Sequence, residues 1–288
     1  MSPRGKANRR SSIPRQERGP RHGRGGAPRL KWLLLFALVA VCAALAALGA
    51  FLALGLGSDG QSGPPKAAIV DQLSLTYPNP SFGEQATALL QQAGYEVDYF
   101  PGEEVTVDFL QNLASQRYRY VILRVHSTVE LHEASGAVSR DEMFLFTGEP
   151  YSRTKYVDER LAGYLVRTHY SESDPSYYYG IAPSFIESKM KGNFDGATVI
   201  LMGCDSLSSD TAAGAFVSKG AKVVIGWTGG VAADHTDAAT ERLLNYLLIE
   251  NRTPSDAVAQ TMTEVGPDPS SGSKLALYPA EAAASASN

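Results

Sequence analysis

Val199-Ile-Leu-Met-Gly-Cys-Asp-Ser206 is a short apolar run that stops abruptly at Gly203-Cys204. A continuous apolar run of this length, bounded by a turn, reads as a strand buried on both faces of a parallel sheet. Open α/β sheets place their chemistry beyond the carboxyl ends of the strands. A second run, Tyr120-Val-Ile-Leu-Arg-Val125, ends in His126-Ser127. The two runs predict a thiol and an imidazole at strand ends, 78 positions apart in the chain. That combination is a candidate nucleophile and base.

Strands and helices alternate outward from these two runs. Ala67–Leu73, Tyr95–Phe100 and Lys222–Trp227 read as further strands, and Lys274–Tyr278 as a final edge strand. Helices are expected over 81–93, 107–115, 183–190, 211–219, 236–249 and 254–263. Asp234 and Asp237 are expected to cap the helix over 236–249 in a capping box. The alternation implies βαβ units and a parallel sheet. The stretch of about 128–180 breaks the pattern and reads as an insert. Within it, Glu142–Pro150 suggests a hairpin, and Asp158–Val166 reads as either strand or helix. Five tyrosines lie between Tyr164 and Tyr179, three of them consecutive (Tyr177, Tyr178, Tyr179). They can form an aromatic wall for a substrate or pack the insert onto the sheet.

The 288-residue chain has a formal net charge of −4, which hides a strong asymmetry. Residues 1–31 hold ten Lys/Arg against one acid, Glu17, for +9; the remaining 16 basic and 29 acidic residues give −13. Residues 1–31 read as a disordered basic tail. An acidic body argues against nucleic acid as a partner. Residues 32–57 carry no charge over 26 positions. Roughly 20 apolar residues suffice to span a bilayer, so this run is expected to be a transmembrane signal-anchor in contact with membrane lipid. The positive-inside rule places its basic flank in the cytoplasm. Residues 58–66 form a linker, 67–280 the α/β domain and 281–288 a frayed tail. Outside the cytoplasm cysteines usually pair, yet Cys204 is the only cysteine of the body. A lone thiol there is a reactive group, half of an intermolecular bridge, or an inert buried side chain.

The order of these residues resembles the caspase-like group of cysteine peptidases, which includes caspases, gingipains, legumains, separases and bacterial CHAT domains. The resemblance rests on a strand ending in His126, a later strand ending in Gly203-Cys204-Asp205-Ser206, and the segment Ala213–Trp227 after the cysteine. It extends over about 67–280 and is specific over about 195–250. It implies a three-layer α/β/α sandwich with a mostly parallel sheet; the uncharged run places one transmembrane helix before it. It also implies Cys204 as nucleophile, His126 as general acid/base, and backbone N–H groups of Ser127 and Cys204 as the oxyanion hole. The group commonly has Gly after the His, where this chain has Ser127. A peptide or protein is the implied substrate. Asp205, Trp227 and Tyr178 are candidate substrate contacts. Asp205, Asp210 and Asp234 are acids near the expected site that could select a basic side chain or simply serve as loop and cap residues.

Other chemistries have less support. His132, His169 and His235 match no compact metal-ligand spacing, so no metal or other cofactor is expected. Ser127, Ser206 and Ser208 lack a Gly-x-Ser-x-Gly elbow. Gly226-Trp-Thr-Gly-Gly230 lacks the Lys-Ser/Thr of a phosphate loop. A different reading keeps the fold without turnover, as a binding or sensing module at the cell surface.

Overall fold

The computed structural model describes residues 63–128, 143–170 and 175–279. The expected basic tail, membrane span and frayed C-terminus lie outside the described residues, as do most of the linker and residues 129–142 and 171–174 of the insert. Among the described residues no helix is long and apolar enough to cross a membrane.

The central sheet has six strands: β1 (Lys66–Asp71), β2 (Glu96–Pro101), β3 (Tyr120–Arg124), β8 (Thr198–Leu201), β9 (Val223–Trp227) and β10 (Leu275–Tyr278). Their order across the sheet is β2-β1-β3-β8-β9-β10. All neighbours are parallel except β10, which runs antiparallel to β9. Alternation along the strands shows why the runs are continuously apolar. Ala67, Ile69, Ile122 and Ile200 face one core, and Ala68, Val70, Val121, Leu123, Val199 and Leu201 face the other. Both faces are buried, so neither can be polar.

Helices cover both faces. Helices α1 (Pro80–Gln92), α6 (Ala233–Leu244) and α7 (Pro254–Glu264) pack on the first face. Helices α2 (Val107–Leu113), α4 (Pro183–Lys189) and α5 (Asp210–Ser218) pack on the second. The result is a mixed α/β, three-layer sandwich. Helix α1 shows how the sequence sets its bounds. The Asn79 side chain accepts from the Phe82 amide, Pro80 occupies the first turn, and Gly94 follows the end with φ +88°.

The insert departs from the expectation in a definite way. Residues 144–150 form one strand, β5 (Phe144–Pro150), not a hairpin. The stretch read as strand or helix contains both, α3 (Val157–Leu161) and then β6 (Leu165–Thr168). With β4 (Ser127–Thr128) and β7 (Tyr178–Ile181), they make a four-stranded antiparallel sheet ordered β4-β5-β7-β6. Its strand β4 begins directly after His126, so the second sheet grows from the carboxyl end of β3. Met143, Leu145, Leu165, Tyr179 and Ile181 join it to the second core.

Two further boundaries shift for local reasons. Strand β1 ends at Asp71 because the Asp71 side chain accepts from the Ser74 amide at 3.0 Å and caps a 3-10 turn over Gln72–Leu75. Helix α6 starts at Ala233, with Ala232 in the cap position and no capping side chain. Asp237 is not part of a capping box, because its carboxylate is committed to Arg124.

Candidate active site

The topology brings the two strand ends together. Strands β3 and β8 are direct neighbours, with Leu123 opposite Leu201. His126 follows the first and Cys204 the second, near the point where the strand order reverses between β1 and β3. Both side chains line one pocket of about 440 Å³, whose walls include Leu73, Val125, Met202 and Val231. A pocket of about 500 Å³ between α1 and Tyr99 contains neither the thiol nor the imidazole.

Gly203 and Ser127 build the floor between the two residues. A Cβ on Gly203 would lie 2.2 Å from Ser127 Oγ and 2.5 Å from the Val125 carbonyl. Glycine is therefore required at 203, because the space is taken by Ser127. The Ser127 hydroxyl donates to the Cys204 carbonyl at 2.5 Å and ties the cysteine turn to the end of β3. The Ser127 nitrogen is 3.0 Å from the same virtual Cβ, so the Ser127 amide lies against this turn.

His126 is held from several sides. Its amide donates to Gln72 Oε1 (2.9 Å), its carbonyl accepts from the Phe146 amide (2.9 Å), and its Nε2 pairs with Thr76 Oγ1 (2.9 Å). Tyr77, Phe146 and Tyr170 surround the ring at centroid distances of 5.8, 5.7 and 5.3 Å. Burial in this aromatic setting, and then the positive charge of Arg124, push its pKa down to about 4. The imidazole is neutral at physiological pH.

The Cys204 sulfur accepts from the Val231 amide at 3.4 Å and lies 3.5 Å from the Val231 carbonyl. Burial pushes the thiol pKa up; the hydrogen bond to the Val231 backbone opposes this and the Asp205 charge adds to it. No hydrogen bond joins thiol and imidazole among the described residues. The expected dyad is thus a neutral thiol facing the same cavity as a neutral imidazole, not a preformed ion pair. The loop carrying Val231 is braced by Asp268, which is buried and accepts from the amides of Ala232, Ser270 and Ser271, each at 2.9 Å. Those hydrogen bonds hold its pKa down to about 2.

The other candidate contacts fall in different places. Tyr178 stacks on Tyr170 (4.1 Å), which stacks on His126, so the tyrosine-rich insert reaches the imidazole through Tyr170. Trp227 is fully buried, and its indole N–H donates to Thr236 Oγ1 at 2.9 Å. It supports the pocket wall from behind and has no surface to offer a substrate. Asp205 adopts a left-handed conformation with φ 54°; its amide donates to the Gly229 carbonyl, and burial raises its pKa. Of the three acids near the site, Asp234 lines the pocket with the thiol and imidazole, whereas Asp205 and Asp210 do not. His132 lies outside the described residues. Among the described residues no cluster of three or more His, Cys, Asp or Glu could hold a metal.

Sequence reasoning missed the groups beneath His126. Arg124 is wholly buried and makes paired hydrogen bonds to Asp237 (2.7 and 2.8 Å), one to Asp71 (2.7 Å) and one to the Tyr77 carbonyl (2.9 Å). Asp237 also accepts from Asn79 (2.9 Å), and Asp71 from the Tyr99 hydroxyl (2.6 Å). This network joins β1, β3, α6 and the loop over the imidazole. A signal existed: Arg124 interrupts an apolar strand, and a buried guanidinium requires carboxylate partners. Neither a scan against protein-family models nor a search of curated proteins finds a match for this chain.

Proposed function

We propose that the body is a caspase-like cysteine peptidase, carried on a membrane anchor at residues 32–57 and facing away from the cytoplasm. The observation that carries this reading is that Cys204 and His126 line one pocket at the carboxyl ends of two adjacent parallel strands. In the proposed reaction the sulfur attacks a peptide carbonyl and its proton passes to the neutral imidazole. The imidazolium gives that proton to the leaving amine as the C–N bond breaks. Water, deprotonated by the same imidazole, then releases the thioester. The amides of Ser127 and Cys204 are the proposed donors to the oxyanion. The test is hydrolysis of a mixed peptide library by the full chain. Turnover is expected in wild type and loss of it in Cys204→Ala and His126→Ala; cleavage unchanged in Cys204→Ala would remove the thiol from the chemistry.

One observation favours the second reading, a binding module without turnover. Thiol and imidazole each have another hydrogen-bond partner, Val231 and Thr76, and neither titration shift prepares an ion pair. Peptide binding retained in Cys204→Ala, with no hydrolysis by wild type, is its expected result.

A further inference from the structure

We propose that the cavity of about 500 Å³ between α1 and β2 is a second ligand site, that it takes a free small organic cation with an aromatic body, and that its occupancy is felt at His126. This site does not depend on peptidase turnover. The two pockets share one wall. Along residues 72–79, Leu73 and Tyr77 line the thiol pocket, whereas Ser74, Pro78 and Asn79 line the second cavity. Between them, the Thr76 hydroxyl pairs with His126 Nε2 at 2.9 Å. The buried network pins the same segment. Asp71 accepts from the Ser74 amide, Arg124 donates to the Tyr77 carbonyl, and the Asn79 side chain donates to Asp237. A ligand in the second cavity therefore rests on the back of the segment that holds the imidazole.

The lining selects the chemistry of the ligand. Tyr99 is 41% exposed, and its ring lies against Gly83 of α1, where a Cβ would stand 3.2 Å from the ring edge. Glycine is unfavourable inside a helix; here it leaves room for the ring. The Tyr99 hydroxyl donates to Asp71 at 2.6 Å, and burial together with this bond raises its pKa, so the ring stays neutral. Its open face suits a cation or a second aromatic ring. Pro78 and Ala88 add apolar surface. The charged groups of the lining are Asp71, 1% exposed, and Glu84, and no Lys or Arg joins them among the described residues. Arg124 is shared between Asp71 and Asp237, so these three groups carry a formal charge of −1. An acidic cleft with low-dielectric walls concentrates cations and excludes anions. The volume is that of a small-molecule site.

The experiment uses the full chain in lipid nanodiscs and three probes of similar shape: phenethylamine (cationic at neutral pH), phenethyl alcohol (neutral) and phenylacetate (anionic). Binding is followed by saturation-transfer NMR. Phenethylamine is expected to bind about tenfold more tightly than the alcohol, the combined scale of one ring–cation contact and one partly exposed ion pair. Phenylacetate should bind more weakly than either. Glu84→Gln should cut the preference to about threefold, and Ala88→Trp, which fills the cavity, should abolish binding. Both positions are exposed, so melting should be nearly unchanged. The effect at His126 is read as the rate at which the Cys204 sulfur displaces iodide from iodoacetamide, measured on the peptide that contains Cys204. Saturating phenethylamine steadies residues 72–79 as they stand and should raise this rate about fivefold, the low end of coupling between sites. In Thr76→Val the amine should still bind and the rate should no longer respond. Equal affinity for the three probes, or binding unchanged in Ala88→Trp, would overturn the site. Binding with a rate that stays the same or falls would overturn the coupling. Failure of the wild-type chain to cleave any peptide would count against the peptidase reading alone.

Discussion

Ser127 and Gly203 act as a complementary pair: one supplies the side chain that fills the space the other leaves empty. Replacing Gly203 by Ala forces a Cβ into Ser127 Oγ and the Val125 carbonyl, so a loss of about 1–3 kcal/mol is expected in urea unfolding. Ser127→Gly relieves that clash, and the double variant should recover part of the loss. His126 adds a pH signature. Its folded pKa of about 4 lies below the ordinary 6.5, so folded and unfolded chains are both neutral above pH 6.5. As pH falls from about 6.5 towards 4 the unfolded chain binds the proton first, and stability drops by about 2–3 kcal/mol. His126→Gln should lose this part of the acid sensitivity when unfolding is compared at neutral and mildly acidic pH. For turnover, the acid limb of kcat/KM should track His126 and lie well below pH 6. A preformed ion pair would instead show loss of activity on the alkaline side as the imidazolium deprotonates. Cys204 and His126 were legible as residues because each ends an apolar run. The role of Ser127 was not, since a hydroxyl filling a glycine's space leaves no trace in spacing.

At the scale of elements, the fit between expectation and structure depends on burial. Strands β1, β3, β8 and β9 announce themselves because both faces are covered. Burial alone does not decide the insert: β5 is buried over six of its seven residues, but its pairing is set by distant partners, since it lies between β4 and β7. Helix α6 lacks the expected capping box: an Asp near a helix N-terminus ordinarily caps, whereas Asp237 is 3% exposed and bound to Arg124. That pairing supports a prediction. Arg124→Met leaves Asp71 and Asp237 buried without their cation, with an expected cost of about 3–5 kcal/mol. Chemical denaturation measures it, and a loss under about 1 kcal/mol would show that the network does not hold these elements together. Asp268→Ala removes the acceptor for three amides around the Val231 loop and should cost about 1–3 kcal/mol. It should also slow acylation of Cys204, which a role in stability alone would not do once the variant is folded.

At the scale of the molecule, the basic tail, the uncharged run and the acidic body lie in series. Gly63–Asn288 forms its own compact unit. A chain beginning at Gly63 should therefore melt within about 4 °C of the full chain, the shift that roughly 1 kcal/mol produces at this size. The proposed orientation rests on the +9 flank beside residues 32–57. Protease added to intact cells should remove the body and leave a small membrane-held N-terminal fragment; a body digested only after lysis would mean the opposite orientation. The central claim, that Cys204 attacks a peptide carbonyl with His126 as its proton carrier, is tested most directly by trapping the acyl intermediate. The full chain is mixed with an activated peptide ester, quenched in acid and weighed intact. The account predicts one acyl mass on Cys204 in wild type, none in Cys204→Ala, and formation at least about a hundredfold slower in His126→Ala. An adduct that forms equally well in His126→Ala, or ester turnover undiminished in Cys204→Ala, would contradict it.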